Sequence, residues 1–140
     1  MIVVDSSAVV AILFGEPPAE ALAARLAADP DRLFSVASYL ETGTVLAGRR
    51  RSDRIKAIDD LDAFLNEAGI ALAPVDEPQA RIALRARIAH GRGMGHGGVL
   101  NFGDCFAYAL AKSLGAPLLF VGDDLAATDI VPALDDLSAR

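Results

Sequence analysis

Short runs of apolar residues alternate along this chain with longer segments of helical periodicity. Four of these runs have the length and composition of strands that are covered on both faces. They are Ile2 to Val4, Leu33 to Val36, Ala71 to Val75 and Leu118 to Val121. Because such strands alternate with helices, we expect repeated β-α units on a parallel sheet, which is an α/β fold.

The helices predicted between these strands have recognisable starts and stops. Pro17 and Pro18 open one helix, which ends before Asp29-Pro30. The next is capped by Ser52 or Asp53 and ends at Gly69, and another covers roughly residues 78–90. The last, from about residue 103 to 114, is almost entirely apolar and must be buried on most of its circumference.

Length and composition are those of a globular protein with a single core. With 140 residues, 53% hydrophobic and 23% charged, the chain is expected to form one domain over residues 1–140. Its longest apolar run, Ala8 to Phe14, is far shorter than the ~20 residues that span a bilayer, and no basic segment precedes it. We therefore expect a cytoplasmic protein with no membrane contact. The lone cysteine, Cys105, excludes an internal disulfide.

Acidic residues from distant parts of the chain fall at the ends of the predicted apolar elements. Asp5 follows the first strand, Asp123 and Asp124 follow the fourth, and Asp104 opens the last helix, while Glu41 lies in a helix after the second strand. In open α/β sheets, ligands bind beyond the carboxyl ends of the strands. We expect these carboxylates to meet in one pocket there.

Each acidic residue also has a simpler local explanation. Asp5 could cap the helix that follows it, and Glu41 could complete a Ser-x-x-Glu capping box with Ser38. Asp104 could complement a helix dipole, and the Gly-Asp-Asp segment at 122–124 could be a plain turn. It is the coincidence of all four at one sheet edge that favours a shared site.

The spacing around Glu41 favours a position on the inward side of its helix. The residues that share this predicted stripe are Leu40, Glu41, Thr44, Val45 and Gly48.

A cluster of four ionised carboxylates would be strongly destabilising. At about 6 Å separation and an effective dielectric near 20, each pair costs roughly 3 kcal/mol and the cluster on the order of 15 kcal/mol, more than a typical domain stability. Some carboxyls must stay protonated, or a divalent cation must neutralise them. Oxygen ligands without His or Cys favour Mg²⁺, with Mn²⁺ as a substitute. Such an ion serves phosphodiester hydrolysis best.

Four segments resemble the PIN-domain ribonucleases, and within them the VapC-type toxins of bacterial toxin–antitoxin pairs. They are residues 1–8 (MIVVDSSA), 40–41 (LE), 100–112 (LNFGDCFAYALAK) and 118–124 (LLFVGDD). The usual Thr-x-Asp-x-Asp-Phe turn of that family is altered here, with Phe120, Gly122 and Leu125 in place of its threonine, first aspartate and phenylalanine. Both Asp123 and Asp124 therefore remain candidates for the site.

The resemblance implies a three-layer α/β/α sandwich and metal-dependent cleavage of single-stranded RNA. It makes Asp5 and Asp104 the metal ligands, with Ser7 supporting Asp5. Glu41 and an aspartate of the turn at 123–124 would complete the catalytic pocket.

The same resemblance implies partners. They are a second copy in a homodimer, a small antitoxin with a basic side chain near the acidic pocket, and operator DNA bound only through that antitoxin. The net charge of −6 argues against RNA binding by bulk charge, so local cations must hold the RNA backbone. The candidates are Arg49, Arg50, Arg51, Arg54 and, in the glycine-rich stretch at 91–98, Arg92. The alternative for the first four is a helix end neutralised by cations and a solvated linker, and for the glycine-rich stretch it is a plain flexible connection.

Two other functions compete with this one. A phospho-acceptor regulatory domain would also bind Mg²⁺ with acidic residues, but it needs an acidic pair after the first strand and a lysine beyond a late strand. Here only Asp5 follows the first strand, and Lys112 lies within a predicted helix. The second alternative is a catalytically silent PIN domain that binds RNA or a partner without cutting.

Overall fold

A four-stranded parallel sheet forms the centre of the computed structural model, which describes residues 1–135. The strands are β1 (Ile2–Val4), β2 (Arg32–Ser35), β3 (Ile70–Ala73) and β4 (Leu118–Leu119). Their order across the sheet is β3-β2-β1-β4.

Helices connect these strands and cover both faces of the sheet. They are α1 (Ser6–Leu13), α2 (Ala19–Ala27), α3 (Val36–Arg49), α4 (Arg54–Glu67), α5 (Glu77–His90) and α6 (Asp104–Leu114), with a short 3-10 turn at Leu125–Ala127.

The alternation of side chains along β1 divides the core into two halves. Ile2 and Val4 pack on one face among residues of α1 to α4, such as Leu22 and Leu61. Val3 points to the opposite face and packs among residues of α5 and α6, such as Leu110. Because strand side chains alternate between faces, this division confirms the predicted three-layer α/β/α sandwich.

The strand order reverses at β1. From β1 the chain moves to β2 and β3 on one side, and then returns to place β4 on the other side of β1. Such a reversal leaves a crevice beyond the carboxyl ends of the two strands that flank it, where α/β proteins bind ligands. In this chain the crevice lies beyond Val4 and Leu119.

Three strands are shorter or shifted relative to the prediction. β2 ends at Ser35 rather than Val36, because the Ser35 side chain accepts a hydrogen bond from the Ala37 amide (3.2 Å) and caps α3 directly. β3 covers 70–73 instead of 71–75, and β4 has two residues instead of four. Within residues 1–135, no helix combines the length and the apolar character that crossing a bilayer requires.

Candidate active site

Asp5 lies at the carboxyl end of β1 and caps α1. Its Oδ2 atom accepts hydrogen bonds from the Ser7 amide (3.0 Å) and the Ser7 hydroxyl (2.6 Å). The Ser7 hydroxyl in turn accepts one from the Val121 amide (2.9 Å), just beyond β4. Asp5 therefore both caps a helix and faces the crevice, and Ser7 ties it to the neighbouring strand.

Asp104 begins α6 and is held by a reciprocal pair of hydrogen bonds. The Asp104 amide donates to Asn101 Oδ1 (2.9 Å), and the Asn101 amide donates to Asp104 Oδ2 (3.1 Å). This is the geometry of a capping box. Sequence reasoning missed Asn101, although an amide three residues before an acid at a helix start is a signal for it.

Glu41 reaches the same region from α3. Ser35 caps this helix, so the capping-box explanation with Ser38 is wrong. The carboxylate of Glu41 packs against Gly103, where an added Cβ atom would overlap it. A glycine before Asp104 thus provides the space in which the two acids approach each other.

The predicted inward stripe of α3 is also wrong. The buried side chains of this helix are Ser38, Thr42 and Leu46, whereas Leu40 and Val45 are exposed. Glu41 is half-buried at the boundary between the two sides.

These elements enclose a cleft of about 470 Å³ at the carboxyl ends of β1 and β4. All five predicted acids line it, together with Ser7 and Asn101. Of the two turn aspartates, Asp124 is half-buried and Asp123 is exposed.

The electrostatics of the cleft resist full ionisation. Burial, followed by the charges of Asp5, Asp124 and Glu41, raises the pKa of Asp104 from 3.8 to about 7, although its bond from Asn101 opposes this. Burial also raises the pKa of Asp5, which is 3% exposed, against the lowering effect of its hydrogen bonds from Ser7. The cleft therefore favours either a bound proton or a bound cation.

The donors of the cleft match a hydrated Mg²⁺ ion. They are carboxylate, amide and hydroxyl oxygens, the ligands of hard cations. In the part of the chain that the structure describes, no three Asp, Glu, His or Cys side chains are grouped tightly enough to hold an ion by themselves. Mg²⁺ usually keeps several waters and takes one or two carboxylates plus substrate phosphates, so this looser arrangement fits it.

The predicted RNA-binding arginines do not line the cleft. The Arg49 guanidinium stacks over the Phe14 ring at 4.4 Å from its centroid, and Arg50 pairs with Asp60 (2.5 Å). Within residues 1–135, the lining of the acidic cleft includes none of the five arginines predicted to bind RNA, which are Arg49, Arg50, Arg51, Arg54 and Arg92.

The late lysine that a phospho-acceptor domain would need is also engaged elsewhere. Lys112 pairs with Asp129 (2.8 Å), which also accepts a hydrogen bond from Tyr108.

Comparison with known proteins identifies the family. A model of the PIN domain matches residues 2–131. Ribonuclease VapC of Mycolicibacterium smegmatis is 47% identical over 128 residues, which cover 91% of this chain and 96% of that protein. Ribonuclease VapC28 of Mycobacterium tuberculosis is 46% identical over 133 residues, which cover 95% and 98%.

Solved structures share the fold. The crystal structure of Mycobacterium tuberculosis VapC20, described as a sarcin-ricin loop cleaving toxin, matches with a TM-score of 0.72 at 19% identity and covers 94% of this chain and 97% of that one. A toxin-antitoxin complex from Klebsiella pneumoniae matches with a TM-score of 0.69 at 15% identity and covers 97% and 100%. This chain belongs to the PIN-domain family, as one of its VapC ribonucleases, which confirms the resemblance noted in the sequence.

Proposed function

We propose that this chain hydrolyses RNA phosphodiester bonds with Mg²⁺ held at Asp5 and Asp104. The observation that carries the proposal is the meeting of acids from β1, α3, α6 and the turn after β4 in one cleft, where burial and mutual repulsion raise the pKa of Asp104. A divalent cation relieves that repulsion. Further support comes from relatives named as ribonucleases, which match nearly the whole chain.

The residues of the cleft have different proposed roles in the reaction. Mg²⁺, or Mn²⁺ in its place, would polarise a phosphoryl oxygen and activate water for attack. Asp5 is oriented by Ser7, and Asp104 by Asn101, so both carboxylates are positioned before substrate arrives. Glu41 and Asp124 supply further carboxylates that can accept the proton of the attacking water. Asp124 suits this role better than Asp123 because it is the less exposed of the two.

The test is cleavage of a labelled single-stranded RNA by purified protein with Mg²⁺ and with EDTA. We expect wild type to cut only with the metal and Asp5→Asn to be inactive in both conditions. Thermal unfolding of both proteins without metal serves as the folding control, and Asp5→Asn should unfold at the same or a higher temperature. Wild-type cleavage by Asp5→Asn, or full activity in EDTA, would exclude this site and its metal.

We also propose that the chain is a cytoplasmic toxin inhibited by a cognate antitoxin. The support is the family, together with a shared fold in a toxin-antitoxin complex. A basic side chain of the antitoxin can replace the cation among the carboxylates. A homodimer, and operator contact made by the antitoxin alone, complete the proposal. Co-expression with a candidate antitoxin, sought in the neighbouring upstream gene, followed by purification and light scattering, tests the complex and its stoichiometry.

A further inference from the structure

A second, apolar pocket of about 450 Å³ lies beside the acidic cleft. Its walls include Leu40, Phe102 and Phe106. Leu40 is 70% exposed and Phe102 is 71% exposed, which makes them the most exposed large apolar side chains of residues 1–135. Large apolar groups that cluster at the surface mark binding sites more often than isolated ones do.

This apolar pocket shares part of its wall with the cleft. Glu41 and Asn101 line both of them. Phe102 is two residues before Asp104, so their Cα atoms are at most about 7 Å apart. An RNA strand with one phosphate at the acids would therefore bring a neighbouring base to the level of Phe102.

The Phe102 ring is supported and still accessible. It packs edge-to-face against Phe106, with ring centroids 5.1 Å apart and ring planes at 81°. This contact limits the orientations of Phe102, while its exposure leaves ring surface available to a ligand. A ring that is held in place and open on one side is a platform for stacking.

Charge explains why stacking is needed. The net charge is −6, and the cleft itself repels phosphates until a cation binds. Arg49 and Arg50 are engaged with Phe14 and Asp60 rather than directed at the cleft. Contacts to bases add affinity that does not depend on charge, and a single aromatic stack is a common source of it.

We propose that this apolar pocket receives an unpaired nucleobase of the RNA substrate next to the scissile phosphate, with Phe102 as the stacking residue. The proposal rests on the ribonuclease function proposed above and names part of its substrate requirement: at least one unstacked base beside the cut. Phe102 then contributes to substrate binding, and the acids perform the reaction.

The test is a thermodynamic cycle between the side chain and the base. A short single-stranded RNA that wild type cuts at one mapped position is compared with copies that carry an abasic nucleotide at each position around the cut. We expect base removal at one position to raise the KM of wild type roughly tenfold, the factor that about 1.4 kcal/mol of stacking gives. Phe102→Ala should raise the KM for intact RNA by a similar factor. Removal of the base at that position should then cause no further change in the KM of this variant.

Two further variants keep the test specific. Phe102→Trp retains an aromatic ring and should keep the wild-type dependence on the base. Leu84→Ala removes a side chain of similar exposure (63%) on α5 and should leave every KM unchanged. Thermal unfolding of all variants checks their folding.

The proposal is overturned if Phe102→Ala cuts intact RNA with the wild-type KM. It is also overturned if the KM of Phe102→Ala for abasic RNA is raised by the product of the two separate factors, because side chain and base would then act independently. It is also overturned if Phe102→Ala only changes the mass measured by light scattering, since the apolar pocket would then lie between two copies. Asp5→Asn distinguishes failure of the stacking proposal from failure of the proposed active site. If Asp5→Asn is inactive and the cycle shows no coupling, only the stacking role fails; if Asp5→Asn cuts normally, the proposed active site fails.

Discussion

The two ends of the parallel sheet carry aspartates whose surroundings act in opposite directions. At the amino end, Asp29 pairs with the amino group of Met1 (2.8 Å) and with Arg25 (3.8 Å), and the contact with the Met1 amine is the main cause of its lowered pKa. At the carboxyl end, burial and neighbouring charges raise the pKa values of Asp5 and Asp104. One end is neutralised by the chain itself, and at the other we propose that an external cation balances the charge.

Backbone groups follow the same division. At the amino end, Arg32 donates to the carbonyls of Leu26 (2.8 Å) and Ala68 (2.6 Å), which close α2 and α4. A cation at helix carboxyl ends is stabilising. At the carboxyl end, the hydrogen bonds from Ser7 and Asn101 instead fix the positions of acids that repel one another. The comparison indicates that the amino end supports the fold, while the carboxyl end holds acids in place whose mutual repulsion, as we propose, a cation relieves.

The largest expected effect distinguishes the two ends directly. Asp104→Asn should reduce RNA cleavage by at least about a hundredfold, more than changes to supporting residues usually cost. Asp29→Asn, at the opposite end, should leave the cleavage rate unchanged and slightly lower the melting temperature. Initial rates on one RNA measure both variants, and equal losses of activity would refute the division.

Ser7→Ala should have the next largest effect. It removes the bridge between Asp5 and Val121 and leaves the carboxylate less firmly oriented. We expect activity to fall by about 10- to 100-fold, the range typical of residues that orient metal ligands. Single-turnover cleavage at several Mg²⁺ concentrations measures the loss, and Ser7→Thr, which keeps a hydroxyl, is the matched control. An unchanged rate in Ser7→Ala would mean that Asp5 needs no such support.

The adjacent turn aspartates provide a smaller but sharper comparison. Asp124 is half-buried and its charge acts on Asp104, while Asp123 is exposed. We therefore expect Asp124→Asn to lose roughly tenfold more activity than Asp123→Asn, which is less than a general base usually contributes because Glu41 can take the same role. The same cleavage assay compares them, and a reversed order would assign the role to Asp123.

The smallest effect concerns stability and pH in the absence of divalent ions. The folded-state pKa of Asp104 is about 7 against 3.8 for the ordinary carboxyl, so between these values the folded state binds more protons than the unfolded state. The free energy of unfolding must then fall as pH rises from about 4 through about 7.

Because Asp104 is partly exposed, screening reduces this contribution, and we expect about 1 to 2 kcal/mol. Urea unfolding should show that the free energy of unfolding falls more between pH 5 and pH 8 for wild type than for Asp104→Asn. Parallel losses in the two proteins would show that Asp104 has an ordinary pKa.

The sequence was sufficient for the parts of this molecule that depend on hydrophobic pattern. Apolar runs located the four strands, and Asp5 and the turn at 123–124 follow two strands that turn out to be neighbours. Family membership, predicted from motifs such as Asn-Phe-Gly-Asp, is confirmed by relatives that cover nearly the whole chain. The catalytic and metal-binding roles of the acids stay predictions.

The hydrophobic pattern could not predict which side chains of a helix are buried or which polar residue caps it. Periodicity assigned Leu40 and Val45 to the core, but α3 buries the small polar residues Ser38 and Thr42 and leaves those apolar groups exposed. The predicted second strand ends one residue too late because Ser35 ends a strand and caps a helix at once. Asn101 was missed because its importance lies in reciprocal hydrogen bonds that no apolar pattern records.

The central claim is that a divalent cation balances the repulsion at the carboxyl end of the sheet. Thermal unfolding at pH 8 with and without millimolar Mg²⁺ tests it most directly, because ligand binding to the folded state raises its stability. We predict that Mg²⁺ raises the melting temperature of wild type, and that Asp5→Asn shows no such shift but starts from an equal or higher melting temperature. Identical curves for wild type with and without Mg²⁺ and Mn²⁺ would contradict the account.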